Sequence, residues 1–563
     1  MFHHLKYLTL LVYGSVILLA CYSGEKEEKS IFHYNETTGV ASIDPAFAKN
    51  QSIMWVIHQL YNTLVEVDSN LHLVPSLATR WEISEDKRTY TFFLRKDVFF
   101  HDDPCFSGGK GRRLTAGDVS YSFHRLLDKK TASPGSWIFN GKIDTLQAFH
   151  AVDDTTFRLT LLEPYNPILG ILSMQYCSIV PKEAVDKYGA DFRRHAVGTG
   201  PFQFVTWEEG QAMILKKNPN YFQVDESGKK LPYLDGVKVS FFDSKATEFL
   251  LFRQGKLEFI NDIDASFKDE VLTKTGTLRA AWQDKIRLNT HPYLNIEYFG
   301  ILVDEKNPVV KNSPLRLQKI RQAINHGFDR KKMVLYLRNS LGIPATSGFV
   351  PAGLPSFDST RVKGYSYNPQ LARKLLAEAG FNNRNSPAIK LYTIPVYSDI
   401  ASYIARQLEE IGLNVQVDVV QKSLLLELTS GSRASFFRGS WIADYPDAEN
   451  YLSVFYSKNP APPNYTRYNN PAFDALFEKA IAETNDSLRY ELYKQADQVM
   501  MNDAPVVPLW YDVAVHLVQP QVQNFRPNAL NILELRKTYL TPGQSPTSWR
   551  GEKEIQPSHL SSR

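Results

Sequence analysis

VPSLATRWEISEDKRTYTFFLRKDVFFHD (residues 74–102) and LTAGDVSYSFHRLLD (residues 114–128) are the stretch on which the reading of the fold turns. Inside it, Thr89–Leu94 (TYTFFL) has the aromatic and β-branched content of a strand. So does 156–162 (TFRLTLL). The two quoted halves are separated by DDPCFSGGKGRR, 102–113, a polar, glycine-rich loop. Further along, helix patterns alternate with strand patterns. Asn368 and Pro369 open a helix over 370–379, where Leu371, Leu375, Leu376 and Ala379 share one face and Gly380 follows. Asn470 and Pro471 open another over 472–483 by the same logic. Segments 391–395 and 413–420 read as strands flanking a helix over 401–411, which implies parallel pairing through a crossover. The alternation predicts α/β architecture.

The chain has 563 residues, enough for two to four compact lobes. Its net charge is +4, and removing the first twenty residues deletes only Lys6, leaving 4 − 1 = +3. So small a charge on so long a chain makes no case for nucleic acid. Residues 1–20 have a short start carrying Lys6, an apolar run over 8–20, and a close at Leu18-Leu19-Ala20-Cys21. That is the order of a secretory signal, and the run is shorter than the ~20 apolar residues a spanning helix needs. Residues 21–30, with Glu25, Lys26, Glu27, Glu28 and Lys29, read as a solvated tether. Residues 542–563 are polar and rich in Ser and Pro, a disordered tail.

Enzyme motifs are missing from the sequence. There is no GxSxG elbow, no HExxH and no phosphate loop; Gly108-Gly109-Lys110-Gly111 lacks the hydroxyl residue after lysine. His101, Asp102, Asp103 and Cys105 cluster, but a solvated turn is the favoured reading over a metal site. Besides Cys21, Cys105 and Cys177 remain, and whether they pair is open. The balance favours binding over catalysis, with no cofactor.

Leu-Leu-Ala-Cys at 18–21 resembles the bacterial lipobox, which implies acylation and cleavage at Cys21. Acyl chains contribute about 0.8 kcal/mol per buried CH₂, enough together to hold a protein on a membrane. The body resembles the extracytoplasmic solute-binding proteins of peptide, dipeptide and nickel ABC importers. The carriers, in order, are SIDP at 42–45, QLYNTL at 59–64, the opening block at 74–128, GTGPF at 198–202, NPNYF at 218–222, NPAFD at 470–474 and DAPVVPL at 503–509. The resemblance implies an α/β periplasmic binding protein-like type II fold of three lobes, the ligand cleft lying between lobes one and three. Lobe one would take 31–61, 196–286 and 510–545, lobe two 62–195 and lobe three 287–509, with 546–563 as tail.

The same resemblance implies a site. In SWIADYPD, 440–447, Asp444 would receive a ligand ammonium and Trp441 would wall the cleft. Closing lobes on an unpaired ammonium is costly, and a fixed carboxylate offsets this. Arg438 would meet a ligand carboxylate through paired hydrogen bonds. Ala48, Lys49, Asn50 and Gln51 would offer lobe one's main chain to an extended peptide. Lys49 and Gln51 depart from the relatives, so only location carries over there. The implied function is a monomeric lipoprotein, in the periplasm or at the cell surface, that passes peptides to a permease. A nickel chelate, haem, glutathione or an oligosaccharide on the same fold is the alternative ligand. A lipid-anchored hydrolase is the alternative class, since a glycosidase needs only two placed carboxylates.

Overall fold

The computed structural model describes residues 29–311, 313–381 and 388–541. The signal segment, Cys21, most of the tether and the tail lie outside the described residues. Three sheets organise the rest. In the first, Ile31–Asn35 pairs in parallel with Gly236–Ser240, which continues antiparallel to Ala212–Lys217 and then Phe202–Glu208. Phe32 and Tyr34 alternate into its core and are fully buried, as the period of two requires. The helix Gln51–Leu60 covers this sheet with Ile53, Trp55, Val56 and Leu60. Its start is set by Asn50, whose Oδ1 accepts from the Ile53 amide at 3.1 Å.

The second sheet is antiparallel, in the order Ala78–Ile83, Thr89–Leu94, Thr156–Thr160, Phe149–Asp153. Tyr90, Phe92 and Leu94 point inward and meet Phe157 and the helix Ala116–Leu127, where Phe123 stacks edge-on to Phe149 and Phe157. The first two sheets share one apolar core, which runs unbroken through Leu60, Tyr61, Leu64 and Val65. A break at 61/62 is therefore a matter of chain path, not of packing.

The third sheet has seven strands. Phe259–Asn261, Val506–Val518, Arg287–Ile301, Phe436–Ile442, Ile389–Thr393 and Val415–Val419 lie in that order, and Ile343–Pro344 pairs with Val506–Val518. Ile389–Thr393 and Val415–Val419 are parallel and joined through the helix Ser398–Glu410, the crossover expected from the pattern. The predicted caps at Asn368 and Asn470 also form: each side chain accepts from backbone amides of the helices Pro369–Glu378 and Pro471–Ile481. Two long antiparallel strands, Arg287–Ile301 and Val506–Val518, carry the chain between the first sheet's side and the third lobe, with a register break between Pro292 and Ile296. The expected α/β type II architecture is the one observed.

Loop 102–113 is tied down by charge. Arg112 bridges Asp118 at 2.6 Å and Glu183 at 2.6 Å, and Lys110 meets Asp102 at 2.7 Å. His101 binds the Gly200 carbonyl at 2.9 Å, while Asp103 accepts from Tyr188. His101 is thus buried rather than solvated, and with Asp103 it ties the loop to residues 188–200. Cys105 and Cys177 are both free thiols.

Arg330 is fully buried and, among the described residues, has no carboxylate partner. Its guanidinium donates to Pro508 O at 2.6 Å, Asn325 O at 2.7 Å and Asn325 Oδ1 at 2.9 Å. Burial pushes it down to about 9, so it stays charged at neutrality. This cage fastens the helix Gln318–His326 to the strand Val506–Val518. Arg330→Met leaves buried carbonyls unpaired, and urea denaturation should show a loss of about 3 kcal/mol or more. A variant within error of wild type would refute the role.

Candidate ligand cleft

Ile389–Thr393, Val415–Val419 and Phe436–Ile442 run parallel, so their carboxyl ends form one edge of the third sheet. Ligands of open α/β sheets bind at such edges. The chain leaves Phe436–Ile442 there and turns at once through Ala443, Asp444 and Tyr445. Asn450, itself buried, organises the turn. Its Oδ1 accepts from Trp441 Nε1 at 3.0 Å and from the Asp444 amide at 3.4 Å, and its Nδ2 lies 3.5 Å from Asp444 Oδ2. Asp444 keeps solvent access, yet protein crowds it from several sides; this desolvation raises its carboxyl above the ordinary range, the Asn450 hydrogen bond opposing. Among the described residues it forms no ion pair.

The turn is anchored on the far side. Tyr445 inserts into the core shared by the first two sheets, where its ring lies 3.4 Å from the place a Cβ on Gly170 would occupy. Its hydroxyl donates to Glu449 and lies 3.2 Å from Tyr165 Oη. Asp447 pairs with Arg489 at 3.4 Å, both buried. Residues 165–170, packed into the core of the first two sheets, thus grip the segment that carries Asp444. Tyr176, a few residues further along, faces it. The Tyr176 hydroxyl is pushed up to about 12, by burial first and the Asp444 charge second. Its ring fills space left by Gly135, where a Cβ would stand 2.3 Å away.

Arg438 is engaged within the protein. Its Nη2 donates to Glu297 at 2.7 and 2.5 Å, its guanidinium lies 3.9 Å over the Tyr397 ring, and Tyr397 Oη donates to Glu297 at 3.0 Å. Glu297 faces Ser440 and Arg438 faces Phe299, so the pair lies diagonally across two strands. Burial raises the Glu297 carboxyl, with Arg438 opposing.

Residues 48–51 lie on the first sheet's side, at the start of the helix Gln51–Leu60. Ala48 is buried and its amide closes the turn onto Pro45 O at 3.1 Å. Lys49 is exposed. Asn50 is occupied as the helix cap. Gln51 Oε1 accepts from Asn261 Nδ2 at 3.3 Å, Asn261 Oδ1 lies 3.5 Å from Asn531 Nδ2, and Asn531 Oδ1 meets His516 at 2.9 Å. No hydrogen bond or ion pair joins 48–51 to 438–444 among the described residues. Sequence reasoning missed Tyr176, Asn450, Glu297, Asn261 and Asn531. The Asn450 spacing, six residues after Asp444 in one turn, is the only one with a local signal.

Two lobes joined by paired long strands, with a carboxylate at the strand ends of one, define a solute-binding clamp. Residues 72–463 match the bacterial extracellular solute-binding proteins, family 5, in their middle region, and the chain belongs to this family. It is 30% identical over 493 residues to haem-binding protein A of Haemophilus influenzae, covering 83% of this chain and 84% of that one. The structure of HbpA2 from Haemophilus parasuis superposes with a TM-score of 0.80 at 25% identity, covering 91% of this chain and 100% of that one. DppA from Helicobacter pylori, in complex with the peptide STSA, gives 0.70 at 26%, covering 92% and 100%. Members of this family bind solutes rather than transform them.

Two outcomes are expected. Glu297→Ala strands Arg438 in the interior and should lower stability by about 3 kcal/mol in urea unfolding. Glu449, buried, is raised from 4.5 to about 7, so the folded chain holds a proton that the unfolded chain releases across that window. Its share of stability is present at low pH and is lost as pH rises through about 7. Unfolding midpoints of Glu449→Gln should therefore fall less steeply across this range than those of wild type; an identical slope would overturn the assignment.

Proposed function

We propose that this protein binds peptides outside the cytoplasm and hands them to the permease of an ABC importer. Asp444 carries the reading: a carboxylate at the strand ends, partly desolvated and without a counter-ion, is suited to a ligand's α-ammonium. Trp441 stands beside it as an aromatic wall that accepts varied side chains. The segment 48–51 stays the proposed place of lobe one's main-chain contacts by resemblance alone, since the Ala48 and Lys49 amides are already spent on Pro45 O and Phe47 O. The peptide complex of the Helicobacter pylori relative agrees with this reading. Arg438, held by Glu297, is reassigned as a structural charge that shapes the wall. The haem-binding name of the Haemophilus relative supports a second ligand, but an unpaired carboxylate disfavours the propionates of haem. No catalytic step is assigned.

The lobe limits given by the resemblance belong to the same proposal, as do a monomeric state and a lipid anchor on Cys21. No helix among the described residues is long and apolar enough to cross a membrane.

The test begins with native mass spectrometry for co-purified solutes. A peptide that binds is then titrated against its N-acetylated form. Acetylation should weaken binding about tenfold or more, and Asp444→Asn should lower affinity and abolish the difference. As pH falls, affinity should begin to drop above the ordinary carboxylate range, because the raised Asp444 takes up its proton early. If acetylation and the substitution both leave affinity unchanged, the ammonium assignment is wrong.

A further inference from the structure

Asp497, on the helix Asp486–Asp503, is 2% exposed and forms no ion pair among the described residues. Its carboxylate accepts from the Phe349 amide at 2.9 Å and the Val350 amide at 3.2 Å. The backbone comes this close because residue 348 is glycine, where a Cβ would stand 2.0 Å from Asp497 Oδ2. The charges nearby answer one another. Lys494 lies 3.4 Å from Glu491 and 3.9 Å from Asp358, and Arg361 pairs with Glu491 at 2.5 Å. Arg330 is caged by carbonyl groups and Asn325. Asp358, Glu491 and Asp497 thus face Lys494 and Arg361, and the negative charge left over is on the buried residue. Burial pushes the Asp497 carboxyl up to about 7, with the two amides opposing. Tyr493 and Tyr511 also pack close by, and burial raises both hydroxyls, so they stay neutral.

A cavity of about 10 Å³ opens beside Asp497, lined also by Ser347, Gly348 and Ser356. That is room for a single water-sized sphere, which needs about 10–15 Å³. Ser356 is 5% exposed, and its Oγ is buried without a hydrogen-bond partner among the described residues. Ser347 Oγ donates to Val362 O at 2.9 Å, which leaves its oxygen lone pairs free to bind.

We propose that the Asp497 carboxylate and the hydroxyl oxygens of Ser347 and Ser356 hold one sodium ion in this cavity. The donors are all oxygens, which suit a hard cation rather than one that seeks imidazole or thiolate. Calcium takes roughly six to eight oxygens and magnesium keeps several of its waters, so neither fits so few donors in so small a space. A monovalent ion matches the single missing charge. It fastens segment 347–358 to the helix Asp486–Asp503, beside the bond from Tyr511 Oη to Gly348 O at 2.7 Å.

Thermal unfolding of the full chain tests the site, with sodium replacing choline at constant chloride and about pH 8, where the carboxylate is ionised. The midpoint should rise with sodium and saturate. Asp497→Asn should abolish the rise, and Ser356→Ala should move half-saturation to about tenfold higher sodium or more. Without sodium, Ser356→Ala should unfold like wild type, because its hydroxyl has no protein partner to lose. As pH falls through about 7 a proton takes the place of the ion, so the rise should shrink. Equal midpoints in sodium and choline would mean that the cavity holds water only, and would overturn the site. A rise that both variants keep would overturn it too, since the ion would then act elsewhere. If Asp497→Asn does not fold, Ser356→Ala and the pH dependence decide by themselves.

Discussion

The antiparallel pairing of Arg287–Ile301 with Val506–Val518 is the constraint on which the rest of the molecule depends. One end of this ladder pairs with Phe259–Asn261 on the lobe one side, at Val518. The other end supplies, through residues 295–301, the register for Phe436–Ile442. The candidate site is therefore positioned by backbone hydrogen bonds that begin in a different lobe. Arg438 and Trp441, three residues apart on that strand, lie on opposite faces of the sheet, and a one-residue slip would exchange those faces.

Charge accounting then separates shape from recognition. Glu297 is buried and Arg438 partly so; they are mutually paired and further held by Tyr397. They give the cleft wall a fixed form and present no net charge. Asp444 has the opposite arrangement: its geometry is held through Asn450 and the Tyr445 anchor, but its charge is left unanswered. A rigid scaffold around an uncompensated charge suits the proposed binding role, since a ligand could supply the missing partner without reorganising the protein.

Much of the fold was legible because its cues are local. The alternation of TYTFFL, the Asn-Pro helix starts and the crossover over 389–419 each depend on a few consecutive residues, and each formed as read. Asp444 was nominated through the surrounding motif, and the fold sets it at the strand ends of the third sheet. Arg438 shows the limit. Its residue type suited a carboxylate, but the carboxylate it meets, Glu297, lies 141 residues away in the chain. Tyr176 was hidden for a like reason: its place depends on the absence of a side chain at Gly135. Local chemistry can nominate a charged residue, but only the fold decides whether its partner is internal or is the ligand.

Pro292 interrupts the linking ladder, and regular pairing resumes only at Ile296. Proline has no amide hydrogen to give, so the rungs are already missing where the two strands pass between lobes. The backbone inside the break is bonded elsewhere: the Leu294 amide donates to Ala529 O at 2.8 Å and the Leu294 carbonyl accepts from the Ala443 amide at 2.9 Å. The interruption thus ties the strand to the C-terminal segment on one hand and to the turn just before Asp444 on the other.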